Sequence, residues 1–155
     1  MILKQLSVFL ENRPGALRDL CRLLAGANIN ILTFSLADAK EFGIFRLIVH
    51  EWDATRQLLA QHSYAVKVTD VVALDVHDRP GGLQEVLDVI ERAGVNLEYV
   101  YAVPIRRAGK GVMVFRFNAP DTAIRALQAA HIDVVDAGGL LQRVATESVA
   151  APAGS

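Results

Sequence analysis

The sequence predicts an α+β fold made of two similar βαββαβ modules in tandem. Its second half repeats the residue pattern of its first half. Apolar residues recur at strand and helix spacings in the same order in both halves, and turn residues separate the elements at matching places. These observations divide the chain into a first domain at 1–69, a second at 70–142 and a flexible C-terminal tail at 143–155.

The repeat is clearest around a short turn motif. A shift of 66 positions lays residues 6–31 over 72–97 and places Asn12-Arg13-Pro14-Gly15 on Asp78-Arg79-Pro80-Gly81. Six of the 26 pairs are identical, whereas average residue usage would give roughly one or two. A shift of 68 matches 43–49 to 111–117, so the second copy has two additional residues, within the loop at 106–110.

Each copy reads as the same series of elements. In the first, Pro14 suits the first position of a helix, and Gly26 and Asn28 suit its end. The expected strands are 6–10, 30–36, 44–49 and 64–68, with a turn at 37–42 and helices at 14–27 and from Asp53. In the second copy they are strands 72–76, 97–103, 112–117 and 132–135 and helices 81–93 and 121–130.

Right-handed crossovers would place both helices of a copy on one face of a four-stranded antiparallel sheet, which is the ferredoxin-like arrangement. Only Thr69-Asp70-Val71 remains as a linker.

Composition narrows the class of partner. Of the 155 residues 52% are hydrophobic and 21% charged, and the formal net charge is −1. Such a chain has no positive field that would attract nucleic acid or an anionic membrane, so neither is expected as a partner. Neither a leader segment nor a run of about 18 to 20 apolar residues is evident, which makes the cytoplasm the expected location.

Nothing in the sequence nominates a catalytic group, a metal site or a cofactor. Cys21 is the single cysteine and lies on the apolar face of its helix, and the histidines are dispersed. Motifs for nucleotides or activated nucleophiles are missing. RNA-binding and metal-carrying versions of the fold need basic aromatic sheets or paired cysteines, and Tyr99 with Tyr101 is the only suggestive pair. The chain is therefore not expected to be an enzyme.

The run Glu-Asn-Arg-Pro-Gly-Ala-Leu, a helix, Ala-Asn-Ile-Asn-Ile and a strand resembles the ACT domain, the regulatory module of several amino-acid biosynthetic enzymes. Both copies carry it, over residues 1–140, and the whole chain is similar to stand-alone bacterial proteins of two ACT domains. The resemblance implies that Asn12 and Asn30, with Asp78 and Asn96 in the second copy, hold an amino-acid effector at an interface between domains. Some members have a histidine where this chain has Leu10 and Val76, so the identity of the amino acid stays open.

The chemistry of the turn agrees with such a ligand. Free N–H groups at a helix start attract a carboxylate, and the Asn12 oxygen or the Asp78 carboxylate could accept from an ammonium group. Asparagines beside strands also close turns through their own backbone, which is the alternative for these positions. Arg13 and Arg79 could instead face solvent or pair with acids such as Glu11. The candidate ligand-binding residues are Asn12, Arg13, Pro14, Gly15, Ala16, Leu17, Asn30, Asp78, Arg79, Gly81, Gly82, Leu83 and Asn96.

The length of the first helix constrains the site. Roughly 14 residues at 1.5 Å each separate Asn12 from Asn30 by about 20 Å, too far for one small ligand. A shared site would therefore pair Asn12 with Asn96 and Asp78 with Asn30 between domains, or the equivalents across a dimer.

These observations predict a sensor of an amino acid or similar small zwitterion. A homodimer is expected from the open sheet edges, with Phe34, Tyr99 and Tyr101 as candidate contacts. The alternative is a regulatory subunit that binds an enzyme or a transcription factor with little ligand binding of its own. A purely structural domain is the third possibility.

Overall fold

The computed structural model describes residues 1–37 and 40–150, and of 146–150 the backbone alone. Two compact units are present: Lys4–Thr69, termed the first module, and Met1–Leu3 with Asp70 onward, termed the second module. The elements are β1 (Ile2–Glu11), α1 (Ala16–Gly26), β2 (Ile31–Ala37), β3 (Phe42–Val49), α2 (Trp52–Gln61), β4 (Ala65–His77), α3 (Gly82–Arg92), β5 (Leu97–Arg107), β6 (Lys110–Phe117), α4 (Pro120–Ala129), β7 (Val134–Val135) and α5 (Ala137–Ala150).

The first module has the strand order β2-β3-β1, with β4 next to β1. Its pairs are antiparallel: Leu47 of β3 lies opposite Leu6 of β1 and Phe34 of β2. Because side chains alternate along a strand, one face of the sheet carries the apolar set that packs against both helices. The buried core is Leu6, Val8, Leu10, Leu20, Leu24, Phe45, Leu47, Val49 and Leu59.

The second module repeats this plan. Its strands are ordered β5-β6-β4 with β7 beside β4, and Leu74 of β4 lies opposite Met113 on one side and Val134 on the other. Alternate residues of β4 and β6 pack against α3 and α4; the core contains Val72, Leu74, Val76, Val86, Val89, Ile90, Phe115, Phe117, Ala123, Ile124 and Leu127. The predicted α+β fold of two ferredoxin-like βαββαβ modules is confirmed.

Strand β4 differs from the expectation for the junction. The sequence predicted two strands, 64–68 and 72–76, joined by a linker at 69–71, whereas β4 is one strand over Ala65–His77. The run between the predicted strands contains neither glycine nor proline and is rich in β-branched residues. Nothing there interrupts extended backbone, so the linker prediction was wrong.

The start of the first helix of each module also differs. Pro14 was expected as the first helical residue, but α1 begins at Ala16 and Gly15 is its N-cap, with φ of 86°. Gly81 caps α3 in the same way, with φ of 85°. Glycine adopts this left-handed conformation without strain, so the chain changes direction at the glycine. The preceding proline therefore belongs to the turn and is not the first residue of the helix.

Helix α5 was not predicted: the sequence analysis placed a flexible tail at 143–155. The backbone of 143–150 is instead helical; 151–155, like residues 38 and 39 of the predicted turn at 37–42, lie outside the described residues. The Asp136 carboxylate accepts a bond from Gly139 N at 2.7 Å, which caps the helix start. Leu140 is buried, and Arg143 donates to Asp75 at 2.8 Å. Asp75 alternates with the core residues of β4, so α5 covers the sheet face opposite α3 and α4.

We expect Gly82→Ala to destabilise the protein by at least about 1–3 kcal/mol, because a Cβ on Gly82 would overlap the backbone carbonyl of His77. The measurement is urea unfolding followed by circular dichroism. Gly26→Ala is the matched control: no atom lies within 4 Å of its Cβ position, and it should leave stability unchanged or raise it by up to about 1 kcal/mol. Equal stability of the two variants would contradict the close approach at Gly82.

Candidate functional site

The turn between β1 and α1 is tied to the hairpin that follows β2. The backbone N–H of Asn12 donates to the Glu41 carbonyl at 2.8 Å, and its side-chain Nδ2 donates to the Lys40 carbonyl at 3.4 Å. In the second module Asp78 N–H donates to the Gly109 carbonyl at 2.8 Å. The matched backbone bonds hold both turns in the same place at the end of their sheets.

A cavity of about 200 Å³ lies at this end of the first module. Four predicted site residues line it: Asn12, Arg13, Ala16 and Leu17. The others are Leu10, Glu11, Leu36, Ala37 and Gly43. The cavity therefore lies between the end of β1, the start of α1, the end of β2 and the start of β3. Pro14 and Gly15 do not line it and instead shape the turn that positions its wall.

Five of the cavity residues were not among the candidate ligand-binding residues: Leu10, Glu11, Leu36, Ala37 and Gly43. One signal was present, since Gly43 matches Gly111 at the shift of 68 and a glycine opposite a repeated turn marks close approach or open space. In the structure Gly43 is the partner of Leu10 across the β1–β3 pair. Its missing side chain leaves room over the sheet, beside Leu36.

Charges at the cavity rim are already paired. Arg13 Nε donates to the Glu11 carboxylate at 2.9 Å, and its Nη1 lies 4.0 Å from Asp19. This agrees with the alternative that Arg13 pairs with a neighbouring acid. No side chain among the described residues caps the start of α1. The Ala16 N–H donates to the Arg13 carbonyl at 3.3 Å, and the next N–H groups of the first turn are left for water or an anionic group.

The corresponding cavity of the second module is built differently. It measures about 150 Å³ and is lined by Val76, His77, Asp78, Ala102, Val103, Ile105, Arg106, Gly111, Val112 and Met113. Of the predicted site residues only Asp78 takes part; Arg79, Gly81, Gly82 and Leu83 do not line it. The start of α3 approaches the end of β4 so closely that a Cβ on Gly82 would overlap the His77 carbonyl. Neither Gly82 nor Leu83 lines this cavity, whereas Ala16 and Leu17 line the first.

Asp78 has a partner that the sequence analysis did not supply. Arg106 Nε lies 3.4 Å from its carboxylate. Arg106 was counted among the additional loop residues, but β5 continues to Arg107 and the turn is confined to Ala108 and Gly109, both with positive φ. Arg106 thereby lies opposite Gly111 and reaches Asp78.

The structure does not bring Asn12 and Asn30 of the first module together. They flank α1, whose 11 residues span about 16 Å. Asn30 is exposed. The backbone of Asn96 donates to Asn118 Oδ1 at 3.0 Å and accepts from Asn118 N–H at 3.1 Å, which is the turn-closing role that stood as the alternative.

Beside the second cavity, Glu85 of α3 binds two side chains. His77 Nδ1 lies 3.1 Å from its carboxylate and Arg79 pairs with the other oxygen. The hydrogen bond with His77 and the charge of Arg79 lower the pKa of Glu85 below its ordinary value of 4.5, against a smaller opposing effect of desolvation.

Metal ligands, a reactive thiol and a membrane-spanning helix are the other features relevant to function. Within residues 1–37 and 40–150, no cluster of three or more acidic, histidine or cysteine side chains could hold a metal ion. Cys21 is a half-buried free thiol. The same ranges contain no helix long and apolar enough to cross a membrane.

The family model described as "ACT domain pair" matches residues 1–144. The chain belongs to this ACT family. The predicted resemblance is therefore confirmed, and both cavities are positioned by the glycine turns of ACT modules. Comparison with curated proteins finds no significant match.

Solved structures agree on the fold. The chain is similar to protein BT0572 from Bacteroides thetaiotaomicron, with 35% identity, a TM-score of 0.84, and coverage of 90% of this chain and 96% of that one. It is also similar to the ligand-free regulatory subunit of aspartate kinase from Thermus thermophilus, with 13% identity, a TM-score of 0.58, and coverage of 82% and 91%. The corresponding subunit from Thermus flavus gives 15% identity, a TM-score of 0.54, and coverage of 83% and 92%.

The Glu85 contacts make stability depend on pH in a defined direction. A carboxyl whose pKa is lowered by folding stabilises the native state above its unfolded pKa, and that contribution is lost as the pH falls through the folded value. We expect Glu85→Gln to lower the urea midpoint at neutral pH. The difference from wild type should shrink as the pH falls below 4.5 and vanish below the lowered pKa of Glu85 in the folded protein. Asp88→Asn, a second acid of α3, is the control. A Glu85→Gln effect that grows on acidification would contradict this assignment.

Proposed function

We propose that this chain is a cytoplasmic, non-enzymatic sensor that binds an amino acid or a similar small zwitterion in the first-module cavity. The cavity itself carries the proposal. Its volume of about 200 Å³ is below the roughly 300–1,000 Å³ of pockets for drug-sized ligands. A nucleotide would not fit, whereas a free amino acid is of the right order.

The lining supplies both kinds of contact that a zwitterion needs. Asn12 belongs to the wall and carries an amide oxygen that can accept from an ammonium group. The Ala16 N–H already donates to the Arg13 carbonyl at 3.3 Å, so the start of α1 offers a carboxylate the next N–H groups of its first turn, from Leu17 onward, and a positive helix end. In this proposal a second ACT module supplies the remaining wall and pairs Asn12 with Asn96, or with the equivalent position across a dimer, because α1 separates Asn12 from Asn30 of the same module.

The first module is the better candidate of the two. In the second, Arg106 already neutralises Asp78, and the helix start is not part of the cavity. A ligand ammonium group would have to compete with Arg106 for the carboxylate. We therefore place the principal site at Asn12 and treat Asp78, Arg79, Gly81, Gly82 and Leu83 as a divergent copy.

Thermal-shift measurements with the twenty amino acids, followed by calorimetric titration, test the proposal. A ligand that binds only the folded chain raises its melting temperature with concentration. Asn12→Ala should weaken binding of the selected amino acid about tenfold or more, corresponding to loss of one charge-assisted hydrogen bond of about 1.5–3 kcal/mol. Asp78→Ala is the matched variant and should leave that affinity nearly unchanged.

Two results would count against the proposal. If none of the twenty amino acids shifts the melting temperature of the wild-type protein, an amino-acid ligand is excluded. A loss of binding in Asp78→Ala with full binding in Asn12→Ala would move the site to the second module.

A second candidate, a regulatory subunit acting on an enzyme or a transcription factor, is favoured by exposed apolar side chains in the first module. Phe34 and Leu36, which lie on the same face of β2, are 57% and 51% exposed. Side chains of this size in contact with water are typical of interaction surfaces. The same surface could instead form the proposed homodimer. Phe34→Ser should convert a dimer to monomers in light scattering; a dimer that is unaffected by it would leave the surface for a different protein.

A further inference from the structure

From the lining of the first-module cavity, we infer that its ligand is an amino acid with an aliphatic side chain, whose length is limited by Gly43 and Leu36. This inference rests on the proposed function and specifies the ligand class of the same site. It is argued from the floor of the cavity, where a side chain would lie, and from its rim, where the charged groups are.

The floor is aliphatic. Leu10 is 5% exposed and, with Leu17 and Leu36, lines the cavity with branched carbon chains. Its small members are Ala16, Ala37 and Gly43, and no aromatic side chain is present among the described lining residues. Each methylene group of a ligand that is buried against such a surface strengthens binding about fourfold. A charged or amide side chain placed there would lose its water without gaining a partner.

The polar lining residues do not reverse this preference. Arg13 and Glu11 have side chains 54% and 64% exposed, so they belong to the rim, and they bind each other at 2.9 Å. An acidic ligand side chain would have to displace Glu11 from Arg13, and a basic one would have to displace Arg13 from Glu11. Neither an acidic nor a basic ligand side chain would therefore find an unpaired partner in Glu11 or Arg13.

Gly43 and Leu36 limit the length of the ligand side chain. A Cβ on Gly43 would lie 3.3 Å from Leu36 Cδ1 and 3.4 Å from the Ala37 carbonyl oxygen, so a methyl group there would occupy the remaining space and press on Leu36. Gly43 is on the same face of β3 as Phe45, which belongs to the core. An added methyl group at Gly43 would thus shorten the cavity, whereas truncation of Leu36 would lengthen it.

The test is calorimetric titration of the full chain with Ala, Val, Leu, Ile, Met, Phe, Glu and Lys. We expect wild type to prefer Val, Leu or Ile over Glu and Lys by at least about tenfold. Removal of space for one methylene changes discrimination by about 10- to 200-fold. Gly43→Ala should accordingly weaken the binding of free leucine or isoleucine at least about tenfold relative to the binding of free alanine. Leu36→Ala, at a half-exposed position, should shift the preference towards Met and Phe.

Gly111→Ala is the matched control, since the Cβ at this equivalent position would meet its nearest atom, the Ile105 carbonyl oxygen, only at 3.9 Å. It should leave the order of affinities unchanged. A wild-type preference for Glu, Lys or Phe would overturn the inference while the sensor proposal stood. So would an unaltered order in both Gly43→Ala and Leu36→Ala. Absence of binding by wild type to every amino acid would overturn the sensor proposal itself, and the ligand class with it.

Discussion

The left-handed glycine at the start of each module's first helix is the constraint on which both cavities depend. Gly15 and Gly81 have nearly the same positive φ, 86° and 85°. This conformation reverses the chain within one residue, so the helix begins directly beside the end of the strand before it. The turn then lies against the next hairpin through a backbone bond of 2.8 Å in each module. Any ligand at this end of the sheet must enter a space whose walls this turn has set.

The two modules differ at the residue that follows this glycine. Ala16 is buried and lines a cavity, whereas Gly82 lets the helix descend onto the carbonyl of the preceding strand. Polar groups then adapt to each arrangement: Arg13 pairs with Glu11, while Arg79 and His77 converge on Glu85. The two modules therefore share a backbone fold but differ in the polar contacts around the start of the first helix. This divergence is the physical reason for assigning the ligand to one copy.

The sequence was most informative where the physics is local. Periodicity and the repeated Arg-Pro-Gly turn predicted the order of helices and strands, because apolar spacing and glycine conformation act over a few residues. The sequence did not predict elements whose formation depends on contacts between residues far apart in the chain. Helix α5 is stabilised by a contact between Arg143 and Asp75, 68 residues earlier, and no local pattern in the sequence reveals that contact. Proline at position 14 was assigned by preference, although the glycine after it determines where the helix begins.

For the cavity, the sequence indicated the wall that carries the turn motif, with Asn12, Arg13, Ala16 and Leu17. It could not supply the opposite wall. Leu36 and Gly43 come from two strands whose register is set by long-range pairing, and no local pattern shows that a side chain on an edge strand lies over a glycine of its neighbour. Arg106 was misplaced for the same reason, since its position depends on how far β5 continues.

The two-residue turn at Ala108 and Gly109 has a consequence for how this family can change. Side chains alternate between the two faces of a sheet, so one inserted or deleted residue in this hairpin would invert the outer end of β5. Arg106 would leave Asp78, and a neighbour of opposite orientation would take its position. A change in hairpin length alone would therefore remove the basic partner of Asp78 from the second-module cavity and leave its carboxylate unpaired with Arg106, with every other residue around the cavity unchanged.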